Sequence, residues 1–431
     1  MNDLVRNALS AAAAAEIYWM REHRIEVLYR NGQLSRVNED TLSSVAARVI
    51  EDGRLGLSYG TAPETRLVDE AKAASAHGGP AGFSFAQAAA YPSPVLFDAR
   101  ASVADVEALI EICEQAKRLV LDALPGVALT VHCQVSEEDL AVATTAGADG
   151  EQRATRFYLG IAAPIKGAGT GISKHRTGIA PFAVPEDLVE GFVARYRDTE
   201  RTSQPRTGRL PVLLAPEASF LLTLPLAAGL SGDAIVKGTS PLVNRLGDQI
   251  LSERLTITDD PTMDGDAASR RFDDEGVPCA RRVLVDAGRL CGQLLDLRAA
   301  AALQSCSTGN GYKRALFGGG TESPPTPWPG HLFIEPGDAS AQELIASMDE
   351  GILLTGGMGF HSGNYPQGDF AVQALGFHVR KGRIQGRLQG TMVAGNIYRD
   401  LRHISGVSRE REESSGGVAP FVLIDALQVA G

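Results

Sequence analysis

The 431-residue chain has no apolar run of the roughly 18–20 residues that a membrane-crossing helix needs. Its longest apolar stretch, Val212 to Leu230, is broken by Pro216, Glu217, Ser219, Thr223 and Pro225, so no membrane partner is expected. Cysteine is scarce. The five residues Cys113, Cys133, Cys279, Cys291 and Cys306 are odd in number and form no CxxC pair, which fits free thiols in a reducing cytoplasm. Positive charge is not in excess either. The net charge is −11 and Lys and Arg are dispersed, which argues against a nucleic-acid partner. The eight histidines contain no HxH or HxxxH pair, so local metal-ligand spacing is missing. The glycines at Gly318-Gly319-Gly320 and Gly356-Gly357 do not follow the pattern of a phosphate-binding loop. The N-terminus opens with an acid and has no basic region ahead of its alanines. Residues 3–22 therefore read as an amphipathic helix rather than a signal peptide.

The chain does have enough apolar material, 44% of its residues, to bury a sizeable core. Its length suits two or three domains at about 100–200 residues each. In the first half, Asp52-Gly53 between two β-like runs signals a hairpin. Helices are expected over 64–77 and 102–123, the latter with Ser102 as cap and Asp105 as the capping-box acid. Residues 127–165 alternate as strands do. The polar, proline-bearing stretch 198–210 reads as a linker. Beyond it, short strands with turns at Asp286-Ala287-Gly288 and Lys381-Gly382 predominate, with one or two helices expected. The fold class expected is α+β. A mixed N-terminal domain with β-hairpins and helices spans 1–200, divisible at about residue 100, and a β-rich C-terminal domain spans 205–431.

Several segments, taken in order, resemble the TldD/PmbA family, whose members include the modulators of DNA gyrase. LTITDDPTMDGDAASRRFDDEGVPCARRVLVDAGRL (255–290) is similar to its "DDP … FDDEG" block, and SCSTGNGYKR (305–314) to its "STGn..R" segment. GGMGFHSGNYPQGDFAVQALGFHVRKGRI (356–384), TMVAGNIYRDLRHISGVS (391–408) and the closing VLIDALQVAG resemble further family segments. RVIEDGRLGLSYGT (48–61) is similar to the family's N-terminal hairpin, so the resemblance runs from about residue 10 to the end.

The stretch LLTLPLAAGLSGDAIVKGTSPL (221–242) separates the two branches of that family. In the TldD branch it looks like LLHEAxGHxxEGDxxxKGTS, where two histidines bind zinc and the glutamate is the general base. Matching the flanking residues places Thr223 and Ala228 at the histidine positions and Leu224 at the glutamate position. A methyl group and a leucine can neither bind zinc nor take a proton. A further cysteine ligand of the TldD branch corresponds to SSGGVAPF (414–421), which has none. The resemblance thus implies a PmbA (TldE)-like subunit with no catalytic residue, metal or cofactor of its own. Zinc is expected in a TldD-like partner bearing HExxxH. Together the two chains would form a heterodimeric metallopeptidase that cleaves amide bonds in unfolded peptides or natural-product precursors.

Of the remaining residues, His361 among glycines, with Tyr365 beside it, is the candidate for substrate contact. Asp259-Asp260 and Asp273-Asp274-Glu275 lack the spacing of a calcium loop and read as turn and capping residues. Cys306 has no base beside it and reads as a buried thiol. Two alternatives stay open. One is a homodimeric binding or scaffold protein without peptidase activity. The other is a stand-alone hydrolase built on His361, Tyr365 and Asp369.

Overall fold

A computed structural model of the chain describes residues 2–9, 14–314, 319–360, 363–414 and 417–431. The first half is built on one antiparallel sheet. Helix α1 (Asn2–Ala8) precedes strands β1 (Ala15–Arg30), β2 (Gln33–Glu51) and β3 (Arg54–Gly60). Helices α2 (Thr65–Ser75), α3 (Ala99–Ser102) and α4 (Val106–Ala123) follow. Strands β4 (Thr130–Thr144), β5 (Asp149–Pro164) and β6 (Gly171–Gly178) and helix α5 (Glu186–Arg197) complete it. The six strands lie in the order β3-β2-β1-β4-β5-β6.

The helix expected over 3–22 is corrected: α1 ends at Ala8, and Ala15 onward is strand. The two faces of β1 enter different apolar clusters. Ala15 and Ile17 pack with α1 and α2, while Tyr18 packs with Leu140, Val142 and Phe272. A strand buried on both sides shows no apolar–polar alternation, which is why its period was hidden. The cap of α4 is also corrected, from Ser102 to Asp105, whose carboxylate accepts the Ala108 amide at 2.9 Å. Ser102 instead ends α3 and donates to Glu137 at 2.6 Å.

The second half is β-rich. In chain order it holds β7 (Gly208–Leu214), α6 (Phe220–Leu230), α7 (Gly232–Val236), β8 (Ile257–Asp259), β9 (Arg282–Asp286) and β10 (Arg289–Leu290). It continues with α8 (Leu297–Ala302), β11 (Gly311–Tyr312), β12 (Thr326–Pro327), β13 (Leu332–Ile334), α9 (Ala341–Ala346) and β14 (Glu350–Met358). Then come β15 (Asp369–Arg380), β16 (Arg383–Arg387), β17 (Met392–Asn396), α10 (Ile397–Asp400), β18 (Ile404–Ser414) and β19 (Gly417–Ala430). The pairings β14-β7-β19-β17-β15 return from β15 to β14, closing a ring, with β16 and β18 attached outside it. Closure removes the open edges that a flat sheet would expose. Where one or two helices were expected, five occur among the described residues, α7 to α10 being six residues or shorter. Such one-turn helices start on local caps, Asp296, Ser340 and Asn396, and are too short to show a period.

The expected hairpin turns are present. Asp52-Gly53, Ala287-Gly288 and Lys381-Gly382 all carry positive φ at both residues, as a type I′ turn requires. The fold is α+β, and its two halves share a core. Val131, Cys133 and Phe157 of the first sheet pack in one cluster with Leu213, Leu353, Phe377 and Leu423 of the ring. No helix among the described residues is long and apolar enough to cross a membrane.

Candidate functional site

Helix α6 follows β7 through a turn at Pro216–Ala218 and is apolar almost throughout. Leu221, Leu222, Leu226 and Leu230 are buried against the ring residues Val212, Leu214, Ile352 and Val372. Pro225 lies inside the helix and leaves the Leu221 carbonyl without its amide donor, a defect the surrounding packing tolerates. Gly229 is required there, since a Cβ would strike the Tyr398 hydroxyl. Thr223, Leu224 and Ala228 occupy the half-exposed side of the helix.

Thr223 and Leu224 form one wall of a cleft of roughly 260 Å³. Trp328, His331, Arg314 and Gly417 line the rest. Gly417 begins β19, within the segment matched above to the family's cysteine ligand, and Ser219 before α6 donates to Ser414 of that segment at 3.2 Å. Two stretches nearly 200 residues apart in sequence thus meet at one place.

His331 is held by its backbone. Its amide donates to Asp259 at 2.7 Å and its carbonyl accepts the Asp260 amide at 2.8 Å. The ring is 4% exposed and packs on Phe333 at 4.3 Å. Asp266 lies 3.1 Å from its Nδ1 and pairs with it, while Nε2 has no hydrogen-bond partner among the described residues. Burial alone would raise the Asp266 pKa, but the nearby imidazole and the Ala268 amide hold it below the usual range. Arg314 projects at the cleft with its guanidinium over the Tyr312 ring at 5.5 Å. It makes no side-chain hydrogen bond or ion pair among the described residues. Desolvation and then the neighbouring Arg270 push its pKa down, with Asp274 opposing.

The acidic clusters play the structural part expected of them and a second one besides. Asp260 accepts the Thr262 amide at 3.0 Å, and Asp273 accepts the Glu275 and Val277 amides at 3.0 and 2.9 Å. Asp274 and Glu275 also form ion pairs. Arg270 donates to Asp274 at 2.6 Å, and Arg48 on β2 donates to both Glu16 on β1 and Glu275, joining the two halves. Burial drives the Glu275 pKa up to about 7, with Arg48 opposing. Lys313 is brought down to about 8, chiefly by burial and then by Arg48; its ammonium donates to the Ser323 carbonyl at 3.2 Å.

Of the proposed contact residues, His361 lies outside the described residues. Tyr365 is 5% exposed and donates its hydroxyl to the Phe360 carbonyl; Phe360 in turn meets Phe220 of α6 at 5.1 Å. Cys306 is exposed, against the expectation of a buried thiol. The hydroxyls of Ser307 and Thr308 turn inward to the Leu295 carbonyl at 3.0 and 3.2 Å and leave Cys306 outside. Ser203 lies 2.8 Å from His378 Nδ1, and Glu350 lies 3.7 Å from Nε2. Glu350 is engaged by Arg206 at 3.1 Å, so this set fastens the 201–206 segment to β14 and β15. Sequence reading missed His331, Arg314 and Trp328 as cleft residues, because nothing in their spacing links them to α6.

Zinc does not fit the α6 positions. A structural or catalytic zinc takes at least three nitrogen, sulfur or oxygen protein ligands, and Thr223, Leu224 and Ala228 offer a single hydroxyl. Among the described residues no three His, Cys, Asp or Glu are grouped so as to hold a metal ion.

Residues 207–431 match the PmbA/TldA metallopeptidase C-terminal domain, and residues 15–76 match the PmbA/TldA metallopeptidase domain 1. The chain belongs to the PmbA/TldD metallopeptidase family. It is 28% identical over 404 residues to a metalloprotease of Methanothermobacter thermautotrophicus, covering 89% of this chain and 85% of the relative. It is 30% identical over 251 residues to a metalloprotease PmbA homologue of Buchnera aphidicola subsp. Acyrthosiphon pisum, covering 57% of this chain and 52% of the relative. The crystal structure of TldE from Thermococcus kodakarensis superposes with a TM-score of 0.89 and 25% identity over 100% of both chains.

Proposed function

We propose that this chain is the non-catalytic, TldE-like subunit of a heteromeric zinc metallopeptidase in the cytoplasm. The observation that carries the reading is the cleft at α6. The segments matched to the family's zinc positions meet there, and they bring Thr223, Leu224 and Gly417 to the cleft, with Ala228 on the same helix, instead of ligands. A TldD-like partner carrying HExxxH supplies the zinc, which activates water for amide hydrolysis. This chain supplies a wall of the reaction chamber and backbone groups that hold an extended, unfolded peptide. His361 and Tyr365 remain candidates for contact with that peptide. The chain has no metal, cofactor or catalytic residue of its own in this reading.

Tagging the chain in its host, purifying it gently and identifying what accompanies it by mass spectrometry tests the proposal. A stoichiometric second chain with HExxxH is the expected result. Recovery of a homodimer alone would favour the scaffold reading instead.

A further inference from the structure

We propose that the cleft over α6 binds the carboxylate end of a peptide through Arg314 and His331, with an apolar terminal side chain against Trp328 and Leu224. The inference deepens the reading above, since it names what part of a peptide this subunit holds. Four observations carry it.

The first is His331. A buried polar side chain normally has a hydrogen-bond partner, and an unpaired one costs free energy. Here Nε2 lacks one in a residue 4% exposed that lines the cleft, while Nδ1 is taken by Asp266 at 3.1 Å. The second is the charge balance. Glu138 is taken by Arg156 at 3.1 Å, Asp274 by Arg270 at 2.6 Å, and Asp266 sits beside His331 at 3.1 Å. Arg314 makes no direct ion pair among the described residues, Asp274 and Glu138 acting on it only from a distance. A guanidinium presents paired donors that match a carboxylate.

The third is composition. Trp328, Leu224 and Pro329 give the cleft apolar walls beside these polar groups, the mixture that fixes an amphipathic ligand. The fourth is size. Roughly 260 Å³ is below the range of drug-sized sites, about 300–1,000 Å³, and suits the last residue or two of a chain.

Isothermal titration calorimetry on the full chain tests this, with acetyl-alanyl-alanyl-leucine as free acid, the same peptide as its C-terminal amide, and inorganic phosphate. The acid should bind saturably and the amide about tenfold or more weakly, the loss expected for one charge-assisted pair. Arg314→Gln should weaken the acid by a similar factor and leave the amide unchanged, with Arg314→Lys in between. Arg314 makes no side-chain hydrogen bond or ion pair among the described residues, so neither variant removes one, and a thermal melt of each checks that it is folded. Equal binding of acid and amide, an unaffected Arg314→Gln, phosphate binding as tightly as the acid, or no binding at all would each overturn the proposal. Failure here would leave the subunit reading intact, because that reading is decided by the partner that co-purifies.

Discussion

Arg48 holds two carboxylates from different parts of the chain, Glu16 and Glu275, and all three side chains are at most 4% exposed. Replacing it with methionine keeps most of the volume but leaves two buried acids without a counter-charge. Arg48→Met should therefore destabilise the protein by about 3–5 kcal/mol, the usual cost of breaking a buried pair from one side. Chemical denaturation measures this, and a loss under about 1 kcal/mol would show that the pair is not needed. The two carboxylates could not have been matched to Arg48 from the sequence, since Glu275 stands 227 residues away. Thr223, Leu224 and Ala228 lie in one contiguous segment on α6, so the resemblance could set their register from sequence alone. Arg314 and His331 had no such register, and only the folded chain brings them to α6.

At the scale of elements, strands β4 and β5 are tied to the 270–275 loop by charge. Glu138 on β4 lies 3.1 Å from Arg156 on β5 and 4.0 Å from Arg270. Burial alone would raise the Glu138 pKa, but the two guanidiniums bring it down to about 2 from an unfolded value of 4.5. A depressed carboxylate stabilises the fold above its unfolded pKa, and that stability drains away as pH falls toward the folded one. Stability should thus fall between about pH 4.5 and pH 2, by on the order of 3 kcal/mol from this group. Glu138→Gln should flatten the curve in that window. An unchanged acid limb in the variant would refute the assignment.

Elements were legible where a local signal existed. Asp52-Gly53 and Lys381-Gly382 announced hairpins because their turns need φ above zero, which these residues accept. Helix α2 showed its apolar stripe of Leu67, Val68 and Ala71. Strand β1 was hidden by its two-sided burial, and α5, with Leu188, Val189, Phe192 and Val193 inward, was overlooked despite Pro185 and two acids at its start. The pairing of β14 with β7 joins Ile352 to Val212, 140 residues apart, a pairing no local pattern encodes.

For the whole molecule, the shared core and the Arg48 and Glu138 pairs make the two halves one support for the α6 cleft. A rigid support keeps the walls of that cleft in place. The central claim is that this chain completes a peptidase it cannot form alone. The most direct measurement is cleavage of an unfolded peptide by this chain, by its HExxxH-bearing partner, and by the two together, with and without a zinc chelator. The account predicts little or no cleavage by this chain, a large gain when the two are mixed, and loss of that gain on chelation. Chelator-resistant cleavage by this chain alone, or a partner whose rate does not change when this chain is added, would contradict it.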